Sequence, residues 1–321
     1  MKTKITYVSL TGGLGNQLFQ FAAGRSCSSS DPLYLISCLG VPRTTRIEPD
    51  ICDFELGNSV ELLPCNHRHV LSKKVFNFLM SMTVGRRRLI FNTPPILKIV
   101  SAIANLVFRI ELRIFSKIFV SSGIGYSRVS SNSAINFPVG YFQTYRSITT
   151  GETFRFNSEI RLKTKNPQIE LLREEASEIN PLIVHVRLGD YKNEASFGIL
   201  GDDYYESAID SQLEDKRIKE IWLFSDETEL AISRIPYRYL PMTRVMNLEG
   251  FSPAQVLEVM RLGHAYVIAN STFSWWGAFL SYRENPRVIA PDRWFTKLDE
   301  PLDLVPISWE RYPCKLAFEI G

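Results

Sequence analysis

The sequence predicts an α/β protein whose strands form parallel, doubly wound sheets. In the second half of the chain, short apolar runs rich in β-branched residues alternate with segments of helical periodicity. Strands that alternate with helices are joined by crossover connections, which make the strands parallel. The first half opens in the same way, with a strand, a glycine-rich turn and a helix. The length of 321 residues suggests about two domains. We place them at 1–160 and 161–300, and we expect the final segment, 301–321, to pack back on the first.

Composition indicates an ordinary globular protein of a reducing compartment. Apolar residues make up 45% and charged residues 22% of the chain, values typical of folded domains. The five cysteines show no CxxC spacing, so neither a disulfide framework nor a zinc site is predicted. Met1 is followed by a strand rather than a secretory signal, which predicts a cytoplasmic location. The net charge of +3 gives no reason to expect a nucleic-acid partner.

The first predicted elements form a candidate anion site. A strand over Ile5–Leu10 leads into the turn Gly13–Gln17, and a helix follows from Leu18. A helix N-terminus presents backbone N–H groups to an anion, and the polar side chains of Asn16 and Gln17 stand at that point. The turn departs from the dinucleotide fingerprint GxGxxG, because Leu18 occupies the third glycine position. A plain tight turn explains the same residues.

The middle of the chain shows fewer clear elements. A strand is predicted over Leu33–Ile36, residues 40–70 are expected to be irregular, and residues 121–138 to form a loop. Another strand is predicted over Val139–Tyr145. A helix is predicted over Pro94–Phe119, because apolar residues recur there at steps of three and four.

Basic residues cluster on and before the helix predicted over Pro94–Phe119. Nine Lys and Arg but only one acid lie between Lys73 and Lys117, which leaves a charge of about −5 for the remainder of the chain. One stripe of the helix carries Lys98, Arg109, Arg113 and Lys117. A basic amphipathic helix can lie on an anionic membrane surface. The alternative is an ordinary solvated face of a helix packed on the first domain.

The second domain is predicted to alternate helices with strands. Its central strand, Leu182–Arg187, follows a helix over Ile169–Ile179. Further helices are expected over Tyr204–Leu213, Glu227–Ile232, Pro253–Leu262 and Phe273–Tyr282. Further strands are expected over Ile221–Phe224, Arg244–Leu248, Ala265–Ala269 and Val288–Ile289. In such a sheet the carboxyl ends of the strands meet at one edge, where ligands bind.

Polar residues follow three of these strands. They are His185, Arg187 and Asp190 at the central strand, Ser225 and Asp226 at the next, and Asn270–Ser274 at a third. An Arg at the carboxyl end of a parallel strand is suited to hold a diphosphate. An ion pair between Arg187 and an acid such as Asp190 would give the same pattern. Ser271 and Thr272 could cap a helix or offer hydroxyls to a phosphate.

The sequence gives no support to metal-dependent chemistry. No two aspartates stand two residues apart, so there is no DxD motif to hold a divalent cation. The four His residues form no HExxH motif. The charge of a leaving group would then be met by Arg and backbone N–H groups, and no metal cofactor is expected.

Four motifs occur in order along the chain. They are Gly12–Gln20, His185–Tyr191, Phe224–Asp226 and Asn270–Gly277. Together they resemble the motifs of glycosyltransferase family 11, the α-1,2-fucosyltransferases. The chain is more distantly similar to the α-1,6- and protein O-fucosyltransferases, which share the His-x-Arg element. The resemblance implies the GT-B architecture, in which two Rossmann-like domains face a cleft. It also implies GDP-β-L-fucose as donor, inversion at the anomeric carbon and no metal.

The resemblance also implies roles for individual residues. Arg187 would hold the β-phosphate and stabilise departing GDP, and His185 would line the guanine or ribose pocket. Asn16 and the turn Gly13–Gly15 would reach the diphosphate from the first domain. Ser271, Thr272 and Phe273 would contact phosphate and nucleoside. The full predicted donor set is Gly13, Gly15, Asn16, Gln17, His185, Arg187, Ser225, Asp226, Glu258, Asn270, Ser271, Thr272 and Phe273.

The chain departs from the family pattern at two places. Leu188 stands where family members often carry a second Arg, so a contact to phosphate or within the fold could be missing. Gln255 and Val256 stand where an acid is often found, and the nearest acid is Glu258. The residue that reads the guanine edge is therefore open.

The family resemblance implies an inverting transfer of fucose to galactose. The acceptor 2-hydroxyl attacks C1 of fucose through an oxocarbenium-like state, and a weak base suffices because the hydroxyl loses its proton late. Asp190 is the first candidate base and Glu194 the second. Asp190 could instead orient Arg187. The acceptor is expected to be a galactose-terminated glycan of a bacterial surface polysaccharide or O-antigen. A lipid-linked acceptor would place the enzyme at the inner face of the membrane.

Two other classes remain as alternatives at this point. An NAD(P)-dependent oxidoreductase would use Gly13–Gly15 as its dinucleotide turn, although the fingerprint is broken. A non-catalytic module that binds a sugar or nucleotide would have no need of Arg187 in a donor site.

Overall fold

The chain forms two compact units. The structure, a computed structural model, describes residues 5–27, 32–36, 48–63, 106, 110, 118–123, 125, 135–148, 160–193 and 197–317. The first unit comprises Met1–Arg161 with Pro301–Leu304, and the second comprises Leu162–Glu300 with Val305–Gly321. Each contains a parallel sheet, so the predicted α/β class is confirmed.

The sheet of the first unit has the strand order β3-β2-β1-β5-β4. The strands are β1 (Ile5–Ser9), β2 (Leu33–Ile36), β3 (Val60–Leu63), β4 (Ile118–Gly123) and β5 (Ile135–Gly140), and helix α1 (Leu14–Cys27) follows β1. β1 pairs in parallel with β2 on one side and with β5 on the other. The loops that follow β1 and β5 therefore flank the point at which the strand order reverses, where open α/β sheets bind ligands.

Several predictions for the first unit are wrong in detail. β3 lies within the region 40–70, which we expected to be irregular, and β4 and β5 occupy the two ends of the expected loop 121–138. The strand predicted over Val139–Tyr145 ends at Gly140 instead. Serine, glycine and proline are typical of loops, but the neighbouring strands β1 and β4 supply the ladder that holds β5 extended.

Within the helix predicted over Pro94–Phe119, the structure describes four residues, 106, 110, 118 and 119. Leu106 and Ile110 are helical and largely exposed. The predicted end is wrong, because β4 already begins at Ile118. The basic stripe of Lys98, Arg109, Arg113 and Lys117 lies outside the described residues, so its proposed contact with a membrane stays a prediction.

The sheet of the second unit has the order β12-β11-β10-β6-β8-β9, and its neighbouring strands pair in parallel. The strands are β6 (Leu182–Val186), β8 (Ile221–Ser225), β9 (Thr243–Val245), β10 (Ala265–Val267), β11 (Arg287–Pro291) and β12 (Glu310–Tyr312). β7 (Ile199–Leu200) pairs separately with β13 (Leu316–Ala317). The helices are α2 (Pro167–Ile179), α3 (Asp202–Gln212), α4 (Thr228–Ile232), α5 (Pro253–Met260) and α6 (Thr272–Phe279).

This order places the reversal of strand sequence between β6 and β10. The chain moves from β6 to β8 and β9 on one side, and continues with β10, β11 and β12 on the other. The pattern is that of the Rossmann fold, whose ligands bind in the crevice outside the carboxyl ends of the two central strands. In this unit the residues after Val186 and after Val267 flank that crevice.

Local sequence explains where the helices of the second unit begin. Asn166 caps α2 by accepting from the Gln168 N–H at 3.0 Å, and Ser252 and Gln255 form a reciprocal capping box at α5. Ser271 caps α6 by accepting from the Phe273 N–H at 3.3 Å. Each cap stands just before an apolar helical run, which is why the predicted helix starts lie within a few residues of the observed ones.

The C-terminal segment was assigned to the wrong unit for most of its length. Only Pro301–Leu304 groups with the first unit. β12 extends the second sheet by pairing with β11, and β13 pairs with β7. The edge strand of a sheet has unpaired backbone N–H and C=O groups that can pair with a further strand. β11 offers such an edge to β12.

Candidate active site

Arg187 lies directly after β6, at the crevice of the second sheet. Its Nη1 lies 3.2 Å from Asp226 Oδ2, and both side chains remain about a quarter exposed. The other oxygen, Asp226 Oδ1, accepts from the Leu188 N–H at 3.0 Å. One carboxylate at the end of β8 therefore holds both the Arg187 guanidinium and the backbone that follows it.

Arg187 forms an ion pair with Asp226, an acid on the neighbouring strand that the sequence did not indicate. The side chain of Asp190, the acid suggested by the sequence, lies outside the described residues, so a contact between it and Arg187 stays a prediction. Sequence spacing could not reveal this, because parallel pairing of β6 with β8 brings the two strand ends together. Gly189 fits this arrangement, since a β-carbon there would lie 2.4 Å from Asp226 Oδ2.

The loop after β6 is tied to its neighbours at further points. Lys192 forms an ion pair with Glu227, the residue after Asp226. The Tyr191 O–H donates to the Asn270 carbonyl at 3.1 Å, and the Arg187 guanidinium carbon lies 5.4 Å from the centre of the Tyr191 ring. The crevice is thus lined by a loop that is held on the β8 side and on the β10 side.

His185 is buried on β6, two residues before Arg187. Burial, reinforced by the positive charge of Arg187 and opposed by Asp226, lowers the pKa of His185 to about 3. Its Nδ1 has no hydrogen-bond partner among the described residues. The ring centre lies 6.4 Å from that of Phe273 at the start of α6. The imidazole is therefore neutral at physiological pH, with an unused polar atom beside the crevice.

Asn270 and Ser225 were predicted to bind the donor, but the described contacts of their side chains are structural. Asn270 Nδ2 donates to the carbonyls of Phe197, Gly198 and Trp294 at 3.2 to 3.3 Å, which ties three loops together. Ser225 Oγ accepts from the Glu227 N–H at 3.0 Å. Ser271 caps α6. At this helix start, the predicted donor residues that are partly exposed and can contact a ligand are Thr272 and Phe273.

Glu258, a predicted donor-binding residue, lies in an ion cluster. Its carboxylate accepts from Arg173 at 2.9 Å, from Arg261 at 2.8 Å and from the Tyr282 O–H. Glu258 stands near the carboxyl end of α5, whereas the crevice is reached from the amino ends of the helices in a doubly wound sheet. The described contacts of Glu258 therefore stabilise the packing of α5, and a donor-binding role for Glu258 stays a prediction.

In the first unit, the glycine turn is stiffened by three amide side chains of α1. Gln17 Nε2 donates to the Gly12 carbonyl at 2.9 Å and its Oε1 accepts from the Ile51 N–H at 3.0 Å. Gln20 joins the Thr11 N–H to the Gly140 carbonyl, at 2.9 and 3.0 Å. Asn16 accepts from Gln143 at 3.1 Å. Gln17 is thus a buried brace, contrary to the expectation that it points at a phosphate.

Gly12 is the residue of this turn at which the structure requires a glycine. Gly12 has a φ of +76°, and a β-carbon there would lie 2.5 Å from Asn16 Nδ2. At Gly13 a β-carbon would meet no described heavy atom within 4 Å, so the turn is open above the start of α1. Gly15 lies within the first turn of α1. An open turn at a helix N-terminus suits an anion, and Asn16 is the partly exposed polar side chain beside it.

Gln143 is a site residue that the sequence reasoning missed. It follows β5, across the strand reversal from the glycine turn, and is buried. Its Nε2 donates to Asn16, while its Oε1 has no partner among the described residues. The preceding Phe142 has a φ of +48°, an uncommon conformation for a bulky residue. The sequence placed Gln143 inside the strand predicted over Val139–Tyr145, and only the β1–β5 pairing brings it to Asn16.

Comparison with known proteins identifies the family. The family model described as glycosyl transferase family 11 matches residues 123–300, more than half of the chain. The chain belongs to glycosyltransferase family 11.

Relatives of this family 11 glycosyltransferase agree with the match. The O-antigen biosynthesis glycosyltransferase WbnK of Escherichia coli is 27% identical over 317 residues, covering 90% of this chain and 94% of the relative. An α-1,2-colitosyltransferase of Escherichia coli is 26% identical over 321 residues, covering 96% and 98%. Among solved structures, the NodZ α-1,6-fucosyltransferase soaked with GDP-fucose matches with a TM-score of 0.52 at 14% identity, covering 94% of this chain and all of that one. This likeness supports the GT-B prediction for the fold.

Two predicted residues of the glycosyltransferase cannot be placed. The side chain of Asp190 and the whole of Glu194 lie outside the described residues; the backbone of Asp190 begins a 3₁₀ turn, Asp190–Asn193. Across the described part of the chain, no three His, Cys, Asp or Glu side chains come together to hold a metal ion. None of the described helices combines the length and apolar character that crossing a bilayer needs.

Proposed function

We propose that this glycosyltransferase transfers L-fucose from GDP-fucose to the 2-hydroxyl of a galactose residue in a surface polysaccharide or O-antigen acceptor. The observation that carries the proposal is Arg187, a partly exposed cation at the strand reversal of a Rossmann-type sheet. A diphosphate leaving group needs such a cation. The names of the two Escherichia coli relatives, one of O-antigen biosynthesis and one of an α-1,2 transfer, support the acceptor class and the linkage.

In the proposed reaction Arg187 binds the β-phosphate and stabilises the charge that develops as GDP departs. Asp226 holds the guanidinium in place, and the N-terminus of α6 adds backbone N–H groups from the other side of the crevice. The neutral His185 lines the nucleoside side. We propose single-step inversion, with Asp190 as the first candidate base and Glu194 as the second. Asp226 already pairs with Arg187. Orientation of the arginine therefore does not depend on Asp190 alone, which leaves Asp190 available as the base.

We further propose that the transfer needs no metal ion. The support lies in the sequence, which has no DxD motif, and in Arg187, which can supply the charge that a divalent cation would otherwise provide. Turnover should then persist in EDTA at nearly its normal rate. Loss of activity that manganese or magnesium restores would contradict this part of the proposal.

A second donor is favoured by one specific observation. A relative that covers nearly all of the chain is named a colitosyltransferase, and colitose is fucose without its 3-hydroxyl. Both sugars would present the same anomeric centre and the same GDP to Arg187. A site built to bind the 3-hydroxyl would reject colitose strongly, because a buried polar partner would be left unpaired.

Donor screening tests the proposal. The melting temperature of the protein should rise with GDP, GDP-fucose or GDP-colitose and stay unchanged with UDP-galactose and NAD, because only a ligand of the folded state stabilises it. Incubation with each donor and a β-galactoside, followed by NMR of the product, would give the sugar transferred, its linkage and its anomeric configuration. Stabilisation by NAD alone, or an α-1,6 product, would overturn the proposal.

A further inference from the structure

Tyr191 contacts both of the loops that flank the crevice. Its ring lies beside the Arg187 guanidinium, with 5.4 Å from Cζ to the ring centre. Its O–H donates to the Asn270 carbonyl at 3.1 Å. Phe197 stacks on the ring with centres 4.8 Å apart and planes within 15°. Tyr191 therefore contacts Arg187 on the β6 side and is anchored on the β10 side.

The ion pair with Asp226 and the Tyr191 ring restrain Arg187 in different ways. The pair joins Nη1 to Oδ2 at 3.2 Å, and both side chains are partly exposed. A partly solvated ion pair orders a long side chain only weakly, because water competes for both charges. A guanidinium also stacks on an aromatic face, which restricts the plane in which its N–H groups point. The ion pair therefore restricts the position of the guanidinium, and the ring restricts its plane.

The Tyr191 ring is itself held firmly. Asn270 accepts the Tyr191 O–H with its backbone carbonyl, while its side-chain Nδ2 donates to the carbonyls of Phe197 and Gly198. The same residue thus fixes the tyrosine and the segment whose Phe197 stacks on it. Phe197 in turn lies 5.6 Å from the Phe295 ring centre. A ring held in this way provides a fixed surface on which the Arg187 guanidinium can stack.

We propose that Tyr191 is a positioning residue, which presents the Arg187 guanidinium to the diphosphate through its ring face and links that presentation to the β10 end through Asn270. The proposal rests on the proposed GDP-sugar function. It gives a use to the tyrosine of the motif His185–Tyr191, and it gives Asn270 a role other than a donor ligand.

A double-mutant cycle on GDP affinity tests this, because a residue that acts through Arg187 cannot matter once Arg187 is gone. Calorimetry would measure GDP binding to the wild type, Tyr191→Leu, Arg187→Ala and the double variant. We expect Tyr191→Leu alone to weaken GDP binding by about fivefold to tenfold and to lower kcat for a soluble galactoside. In the Arg187→Ala background it should change GDP affinity less than about twofold.

A conservative variant keeps the test decisive if Tyr191→Leu folds poorly. Tyr191→Phe retains the ring face and loses only the hydrogen bond to Asn270, so it should regain most of the GDP affinity that the leucine variant loses. Its smaller effect should also vanish in the Arg187→Ala background. Additive losses in both cycles, or a Tyr191→Leu variant with normal GDP affinity and kcat, would overturn the proposal.

Tyr282 supplies a matched control at the Glu258 cluster. Its O–H also donates to an oxygen, on Glu258, and two guanidinium groups lie over its ring, Arg173 at 4.4 Å and Arg261 at 4.2 Å. Tyr282→Leu should lower the melting temperature and leave GDP affinity unchanged. Equal losses of GDP affinity at both tyrosines would mark the Tyr191 effect as general destabilisation and overturn the proposal. A wild-type protein that does not bind GDP would instead contradict the proposed function itself.

Discussion

At the scale of single residues, Arg187 carries the proposed chemistry, and its environment defines a sharp test. Arg187→Lys keeps one positive charge but loses the planar fork that can contact two phosphate oxygens. We expect kcat/KM to fall by at least about 100-fold, as for loss of one strong transition-state donor. The melting temperature should change little, because the side chain is partly exposed. Steady-state kinetics and thermal melting would measure both.

Asp226→Asn serves as the companion variant for Arg187→Lys. The amide oxygen can still accept from the Leu188 N–H, while the charge that faces Arg187 is lost. A smaller loss of kcat/KM than in Arg187→Lys would agree with Asp226 as the group that orients the arginine. Normal turnover in Arg187→Lys would show that the arginine serves the fold alone.

Asp190→Asn separates the two roles considered for that residue. If Asp190 is the base, transfer should be lost while GDP affinity stays near that of the wild type, since the change affects only removal of the acceptor proton. If Asp190 orients Arg187, GDP affinity should fall together with turnover. Glu194→Gln, measured in the same two assays, tests the second candidate base.

His185 gives the protein a pH-dependent stability of known sign. Its pKa in the folded protein is lowered to about 3 by burial and by the charge of Arg187, against about 6.5 in an unfolded chain. Between these values the unfolded chain binds a proton that the folded one does not. The free energy of unfolding therefore falls as pH drops below about 6.5, and the loss reaches about 2 kcal/mol at a pH of about 5.

Denaturant unfolding at several pH values would measure this contribution. His185→Gln cannot titrate, so its stability should fall less steeply with pH than that of the wild type. His264 also has a pKa lowered by burial, and its share of the slope has the same sign and should persist in the variant. Parallel pH profiles for the variant and the wild type would show that His185 is not protonated on unfolding in this range.

At the scale of elements, the amides of α1 divide into braces and a candidate ligand. Gln20 is fully buried and satisfies the Thr11 N–H and the Gly140 carbonyl. Gln20→Leu would leave both groups unpaired, at a cost of about 1–3 kcal/mol each. We expect a clear fall in melting temperature.

Asn16→Asp keeps the oxygen that accepts from Gln143 but adds a negative charge beside the turn, so it should fold normally and bind GDP weakly.

The Asn16→Asp variant decides whether the glycine turn is an anion site or a plain connection. Weak GDP binding by a stable Asn16→Asp would confirm an anion site at the start of α1. Unchanged GDP affinity would leave the turn as a connection between β1 and α1, with its amides serving the fold only.

At the scale of the whole molecule, the charge distribution predicts a contact with membranes. The stripe of Lys98, Arg109, Arg113 and Lys117 concentrates positive charge in a chain with a net charge of only +3. Each basic residue near an anionic surface adds about 1 kcal/mol, and salt screens the attraction over about 8 Å at physiological ionic strength. The protein should therefore sediment with anionic vesicles at low salt and be released at high salt.

Replacing the four stripe residues with Gln should stop sedimentation and leave transfer to a soluble galactoside intact. A matched control replaces four basic residues of the second unit, Lys163, Lys165, Lys216 and Lys219, and should sediment as the wild type does. Equal recovery in the supernatant with anionic and neutral vesicles would show that the stripe is an ordinary solvated face.

The sequence by itself determined the class of fold, the order of the elements in the second unit and the family. Local patterns carry this information: the apolar run at β6, the caps Asn166 and Ser271, and the alternation of strand with helix. They also located Arg187, since an arginine ending a buried strand is costly without an anion or an acid nearby.

Only the tertiary structure decided which residues meet. Asp226 was found beside Arg187, Gln143 beside Asn16, and Glu258 beside Arg173 in an ion cluster. Each pair is separated by tens of residues or by a helix, and strand register, which the sequence does not state, sets the distances between them. The same holds for β4, β5 and the C-terminal strands, whose residues form strands because a neighbouring strand offers its backbone hydrogen bonds.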